Sequence, residues 1–217
     1  MKDGKNIVIA INNQNVLAFF GKITASMTHE IKNVLAIIQE TSGLIEDIVN
    51  MSDTADLKNK ERFISSLERI QAQIQRGIHI TSNLNRFAHS PDNEQEQIDL
   101  NDLIQQLSSL VTRFAHLKKV KLMTVPADSP LMIQANSVHL QMLIFNAIEI
   151  VLQHIESGTL TLIPIQENEQ LKMHINYDLM TDEQFNCISG CEAWSAIQKN
   201  LLGIGIHIVL SSNPRHS

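Results

Sequence analysis

From about Gln14 to Met51 the chain has no proline, and apolar residues recur at helical spacing. Phe20, Ile23, Met27, Ile31, Val34, Ile38, Ile45 and Ile48 form one stripe with steps of three, four and seven. The stretch "MSDTAD" breaks the pattern and offers Ser, Asp and Thr as helix caps. A second stripe follows through Ile64, Leu67, Ile70, Ile74, Gly77, Thr81, Leu84 and Ala88. It ends at "HSPDNEQEQ", where Pro91 and the polar run mark a linker. Two helices of roughly 30 or more residues, each about 45–55 Å long, joined by a short loop, make a long antiparallel hairpin. Such a hairpin cannot hide two continuous apolar stripes by itself. Pairing with a second copy into a dimeric four-helix bundle is the simplest solution.

Beyond the linker the pattern changes. "IDLNDLIQQLSSLVTRFAHL" reads as a helix with Asp99 or Asn101 near its cap, and "VKLMTV" and "LMIQA" read as short strands. "NSVHLQMLIFNAIEIVLQHI" is a strongly apolar helix ended by "ESG". "TLTLIPI" and "QLKMHINY" read as strands joined through "QENE" in a hairpin. "TDEQFNCIS" reads as a short helix, and Ser189 with Glu192 resembles a capping box for a further helix through Leu202. The fold class expected is α+β: the hairpin, then a sandwich whose sheet is covered on one face. The expected division is an N-terminal segment 1–12, a hairpin domain 13–90, a linker 91–97 and an α/β domain 98–217.

Charge narrows the partners. The net charge of −6 argues against a general nucleic-acid binder. Residues 1–90 carry ten Lys/Arg against nine Asp/Glu, and residues 91–217 carry seven against fourteen. The second half is therefore a poor electrostatic host for a polyphosphate. Two cysteines, Cys187 and Cys191, make neither a disulfide framework nor a four-ligand metal site, so no metal is expected. Ile7–Ile11 is too short for a signal-peptide core, and no stretch reaches membrane-spanning length. A cytoplasmic protein with no membrane segment in this chain is the expectation.

One histidine stands apart. At about 100° per residue, His29 lies about 180° from Phe20 and Ile38, about 160° from Met27, Ile31 and Ile45, and about 140° from Val34. Its own face carries Lys22, Ala25, Ser26, Lys32, Asn33 and Ala36, which are small or polar and would let another protein approach. An exposed neutral imidazole is a nucleophile at neutral pH, which suits phosphoryl transfer. Glu30 is placed to orient the ring or take a proton from its other nitrogen. Asn33, one turn on, is placed to position a water, and Lys32 to neutralise a phosphoryl group.

The stretch "MTHEIKNVLAII" resembles the phosphoacceptor box of bacterial sensor histidine kinases, Ser/Thr-His-Glu-(Ile/Leu)-Lys/Arg-Asn-Pro-Leu. Thr28, His29, Glu30, Ile31, Lys32, Asn33 and Leu35 match, in the expected setting of a hairpin's first helix. Val34 replaces the usual proline, which removes a helix kink but not the chemistry. The resemblance implies that His29 is phosphorylated, that Glu30 is its acid/base partner, and that Asn33 supports dephosphorylation of a response regulator.

The second half resembles the family's ATPase domain more faintly. "ANSVHLQMLIFNAIEIV" is similar to its first ATP-binding box, with Asn146 on the first of two asparagines and Ile150 on the second. In the other register Asn146 takes the second place and Met142 the first. Asp178 in "INYDLMTDEQF" stands where an adenine-binding aspartate would, yet no glycine lies between Asn168 and Ser189. Leu179, Met180 and Thr181 put side chains where backbone would have to hug a nucleotide. "GIGIHIVL" is similar to the second glycine box, but only twelve residues follow Gly205, where a helix and two strands need roughly 25. Gly203 reads as a helix C-cap and Ile204–Ser211 as a terminal strand.

The reading is thus a reduced, degenerate ATPase-like α/β sandwich behind a phosphoacceptor hairpin, resembling kinase-like histidine phosphotransferases. His29 would exchange a phosphoryl group with an aspartate on a response-regulator receiver domain, which would bring the Mg²⁺, with no intrinsic cofactor. The phosphoryl group could also reach His29 from a separate kinase. Two alternatives stay open: a divergent sensor kinase that uses ATP and Mg²⁺ through Asn146 and Asp178, and a non-catalytic dimeric scaffold or regulator of a kinase.

Overall fold

In a computed structural model, which describes residues 13–51, 57–90 and 95–212, the proline-free N-terminal stretch forms one helix, α1 (Asn13–Met51). A second, α2 (Leu57–Ala88), completes the hairpin. The capping stretch from Ser52 to Asp56, the apolar run Ile7–Ile11 and Pro91 lie outside the described residues. The chain divides into two compact units, one of Thr24–Phe87 and one made of the rest. The first turns of α1, Asn13–Ile23, therefore group with the α/β unit.

Within Thr24–Phe87 the seam repeats every seven residues. Met27, Val34, Thr41 and Ile48 are buried on α1. On α2 the seam runs through Phe63, Ser66, Ile70, Gln73, Gly77, Ile80, Leu84 and Phe87, each buried or half-buried and alternating by three and four. That is knobs-into-holes spacing. Two buried hydroxyls of the seam are satisfied locally, Thr41 Oγ1 donating to Ile37 O at 2.7 Å and Ser66 Oγ to Arg62 O at 2.8 Å. Gly77 faces Val34 across the seam, where a Cβ would sit 3.4 Å from Val34 Cγ1, in ordinary contact.

This seam corrects the expected stripe. Ile64, Leu67 and Ile74 are exposed; they lie one residue past the seam, on a second, parallel row. Alternating apolar rows 100° apart look like one broad stripe until a partner helix selects between them.

In the other unit, β1 (Glu96–Asp99) pairs antiparallel with β3 (Met132–Ala135) in a two-stranded sheet. The C-terminal end of the expected linker is thus already strand. Asp99 caps α3 (Leu100–Leu117): its Oδ1 accepts from Asn101 N and from Leu131 N, both at 3.0 Å. Asn101 holds the same loop, accepting from Ala127 N at 2.9 Å and donating to Ser129 O at 3.0 Å. These bonds fix the approach to β3.

The larger sheet has the order β2-β4-β5-β6, formed by β2 (Val120–Thr124), β4 (Gly158–Glu167), β5 (Gln170–Tyr177) and β6 (Ile206–Ser211). β2/β4 and β5/β6 are parallel, whereas β4/β5 is the expected hairpin. Its turn places Asn168 and Glu169 at φ 50° and 64°, the two-residue conformation that matches strand twist. One sheet face is buried, through Leu160, Leu162, Met173, Ile175, Tyr177, Ile206 and Ile208. Helices α3, α4 (Ser137–Gln153) and α6 (Glu192–Gly203) supply the remaining core, including Leu107, Ile144, Ile148, Trp194 and Leu201.

Two local expectations are corrected. The capping box lies at Thr181/Gln184, opening α5 (Asp182–Gly190), while α6 is capped by the Cys191 thiol, which accepts from Trp194 N at 3.3 Å. Ser189 is inside α5, so it cannot cap. The left-handed glycine after α6 is Gly205, with φ 93°, and not Gly203, which stays helical.

Gly158 opens β4 at φ 104°, and a Cβ there would lie 2.7 Å from Asp178 Oδ1 and 3.0 Å from Tyr177 Cε2. Gly158→Ala should therefore destabilise the α/β unit by about 2–4 kcal/mol. Chemical denaturation checks this; an unchanged midpoint would refute it.

Candidate functional site

The candidate site is built on α1. His29, Asn33, Lys32, Ala25 and Ala36 are exposed on the helix, away from the Met27–Val34 seam. The sequence reading placed Ser26 among them, but it is buried, 5% exposed, with no hydrogen-bond partner for its hydroxyl. Ser26 precedes Met27 in the seam and lies about 100° from it, close enough to be covered. It is no contact surface for a partner.

Lys22 is exposed, as expected, and also has a partner within the chain. It belongs to the α/β unit, where its ammonium meets both carboxylate oxygens of Glu149 on α4 at 2.6 and 2.8 Å. It also lies 5.6 Å from the centre of the Phe145 ring. Phe19 packs beside Phe145 at 5.2 Å between centroids, and Phe114 stacks edge-on to Phe145 at 5.4 Å. The first turns of α1 are thus docked on α4 by one apolar and one ionic contact, the latter leaving the Lys22 side chain 48% exposed. Phe145 and Glu149 went unnoticed in the sequence because only the tertiary fold joins α4 to α1.

Glu30 is joined to α2: its Oε2 accepts from Arg76 Nη2 in an ion pair across the hairpin. The Glu30 side chain is 18% exposed and that of Arg76 48%. Arg76 was missed because its signal is a register rather than a motif. On α2, the position before each seam residue is Arg at Arg62, Arg69, Arg76 and Arg86. In an antiparallel hairpin, positions before the seam on both helices share one broad face. That face carries Asn33, Glu40 and Asp47 from α1, with the four arginines, His79 and Asn83 from α2. The opposite face carries Leu35 and Val49 with Ile64, Leu67, Ile74 and Ile78, all exposed.

The possible nucleotide residues are otherwise occupied or isolated. Asp178 Oδ1 accepts from Thr159 N at 2.8 Å, tying the end of β5 to the start of β4. Beside it, Tyr177 Oη donates to Ser157 O at 2.6 Å. Burial, and then the Asp178 charge, push the phenol above its ordinary pKa, so it remains a donor. From Asp178 the chain enters the Thr181 cap of α5 within three residues, with Leu179 exposed. Asn146 is half-buried on α4. Asp178 serves as a backbone staple, and the side chains of Leu179 and Met180 follow where a nucleotide would need open backbone. These residues do not fit a nucleotide–Mg²⁺ group. Among the described residues no group of three or more His, Cys, Asp or Glu could hold a metal ion. No described helix is long and apolar enough to cross a membrane.

No protein-family model matches the chain. Sporulation kinase B of Bacillus subtilis (strain 168) is 23% identical over 206 residues, an alignment that covers 92% of this chain and 45% of that protein. The chain is thus similar in sequence to a sporulation kinase, and it spans less than half the length of that relative. Among solved structures, Acinetobacter baumannii histidine kinase AdeS aligns at a TM-score of 0.39 and 11% identity, over 80% of this chain and 86% of its own. The cytoplasmic segment of histidine kinase QseC aligns at 0.39 and 16% identity, over 61% and 81%. Histidine kinase ThkA, solved in complex with response regulator protein TrrA, aligns at 0.33 and 16% identity, over 74% and 46%.

Proposed function

We propose that this chain is a dimeric phosphorelay protein of two-component signalling, in which His29 exchanges a phosphoryl group with the aspartate of a response-regulator receiver domain. The observation that carries the proposal is the exposed His29 within "MTHEIKNVL", on the side of α1 turned away from the seam, with Asn33 one turn on. One ring nitrogen attacks phosphorus as the bond to the receiver's carboxylate breaks. The electron pair leaves with that carboxylate, and the proton on the other ring nitrogen is shared with Glu30. The receiver supplies its own Mg²⁺, so this chain contributes position and charge. Lys32 lies on the approach side and offsets phosphoryl charge, and Ala25 and Ala36 leave room for a receiver helix.

The proposed domains are the hairpin, 13–90, for dimerisation and transfer, and the α/β unit, 98–217, as a companion that does not use a nucleotide. The engagement of Asp178 with Thr159 weighs against an ATP-driven reaction in this chain. Incubation with a phosphorylated receiver should move acid-labile phosphate onto this protein. Incubation with γ-labelled ATP alone should leave it unlabelled, and ATP should show no saturable binding at millimolar concentration by calorimetry. Label that stays on every receiver tested would refute the transfer, and label arriving directly from ATP would favour the divergent kinase.

A further inference from the structure

We infer that Arg76 is a positioning residue for phosphoryl transfer at His29, acting through Glu30; this rests on the functional reading above. Arg76 reaches from α2 across the hairpin to Glu30 Oε2, and Glu30 is the residue next to His29. A glutamate on an open helix face samples many rotamers, and holding it beside an imidazole costs that freedom. A guanidinium that never titrates removes much of the cost in advance, because it fixes one carboxylate oxygen from the neighbouring helix. The Glu30 side chain is mostly buried, so this pair is screened less than an ion pair in open solvent.

Charge gives a second reason. A phosphoryl group arrives with about two negative charges. An unopposed carboxylate one residue away would repel it. Paired with Arg76, Glu30 keeps its basic oxygen atoms while its charge is offset. Both effects operate through Glu30, which separates this role from that of a cation binding the phosphoryl group itself. The other arginines before the seam, Arg62, Arg69 and Arg86, lie at least one heptad or most of one from Arg76, so no second guanidinium substitutes for it.

The test is a double-mutant cycle on the rate of His29 phosphorylation, with two donors: a phosphorylated receiver, and phosphoramidate followed by phosphorus NMR. Arg76→Ala should slow labelling from either donor about tenfold, and Arg76→Lys should recover most of the loss because a lysine ammonium can also pair with Glu30 across the hairpin. The loss with the receiver should fall on the turnover rate and leave the half-saturating receiver concentration unchanged. In a Glu30→Ala background, Arg76→Ala should add less than about a twofold effect, as expected for residues acting as one unit. Arg76→Ala at the wild-type rate, Glu30→Ala at the wild-type rate, or an Arg76→Ala effect of full size without Glu30 would each overturn the inference. Labelling from phosphoramidate but from no receiver would overturn the functional reading and leave this inference standing. No labelling of the wild-type protein by either donor would overturn both.

Discussion

His29→Ala should abolish phosphoryl acceptance while leaving the fold intact. His29 is the one histidine within α1, Asn13–Met51, and its imidazole is a far better nucleophile at neutral pH than the protonated amine of Lys32 beside it. Removing the nucleophile therefore takes the label to background instead of lowering it by a factor. The stability change should stay within about 0.5 kcal/mol, because the side chain is exposed and its helix position tolerates alanine. His79 is the internal control. It is exposed on α2 of the same hairpin, with its Nδ1 3.0 Å from Asn83 Nδ2. His79→Ala should retain full acceptance. Label that survives His29→Ala, or that disappears with His79→Ala, would move the phosphoacceptor elsewhere and leave the motif at His29 a coincidence of helix chemistry.

Much of the α/β unit was legible because its signals are local. The strand "QLKMHINY" coincides with β5, Asp99 caps α3 as its position before an apolar-periodic run suggested, and Ile206, Ile208 and Leu210 alternate as a terminal strand. What failed depended on a neighbour. β1 is four residues whose strand identity comes entirely from pairing with β3, so "IDLN" alone reads as the start of a helix. Cys191 caps α6 through a thiol, a weak acceptor that rules built on hydroxyls and carboxylates pass over. Gly205 and Gly203 are equivalent by composition, and only the chain's re-entry into the sheet decides which takes positive φ.

The candidate site shows the same division. His29, Glu30 and Asn33 were visible as a motif, and the angular count correctly kept His29 off the seam. That count treats a helix as isolated, however: it put Ser26 on an open face although the side chain is buried, and it could not foresee that Lys22, exposed as expected, pairs with Glu149, 127 residues away. Arg76 was hidden for the same reason. Its role follows from the register of α2 against α1, which becomes readable only once Gly77 is known to face Val34.

Ile74→Lys should convert the proposed dimer to monomer. The hairpin's two broad faces differ sharply in chemistry: one carries Arg62, Arg69, Arg76 and Arg86 with Asn33, Glu40 and Asp47, and the other Leu35, Val49, Ile64, Leu67, Ile74 and Ile78. All six apolar side chains on the second face are exposed, between 44% and 60%. Rows at Ile64, Ile78 and Leu67, Ile74 keep the heptad spacing of the buried seam, so a second helix can seat along them. Covering the exposed half of each contributes about 1 kcal/mol, or roughly 12 kcal/mol over two copies. Association costs about 4–15 kcal/mol, which makes the dimer sensitive to a single central change. A lysine at position 74 removes one apolar contact per copy and places two like charges near the symmetry axis, so the dissociation constant should rise at least about 100-fold. Arg69→Ala, on the opposite face, should leave it within about threefold. Sedimentation equilibrium reads both variants. A wild-type protein that is monomeric at micromolar concentration, or an Ile74→Lys protein that stays dimeric, would reject this face as the interface and leave its six exposed side chains to some other partner.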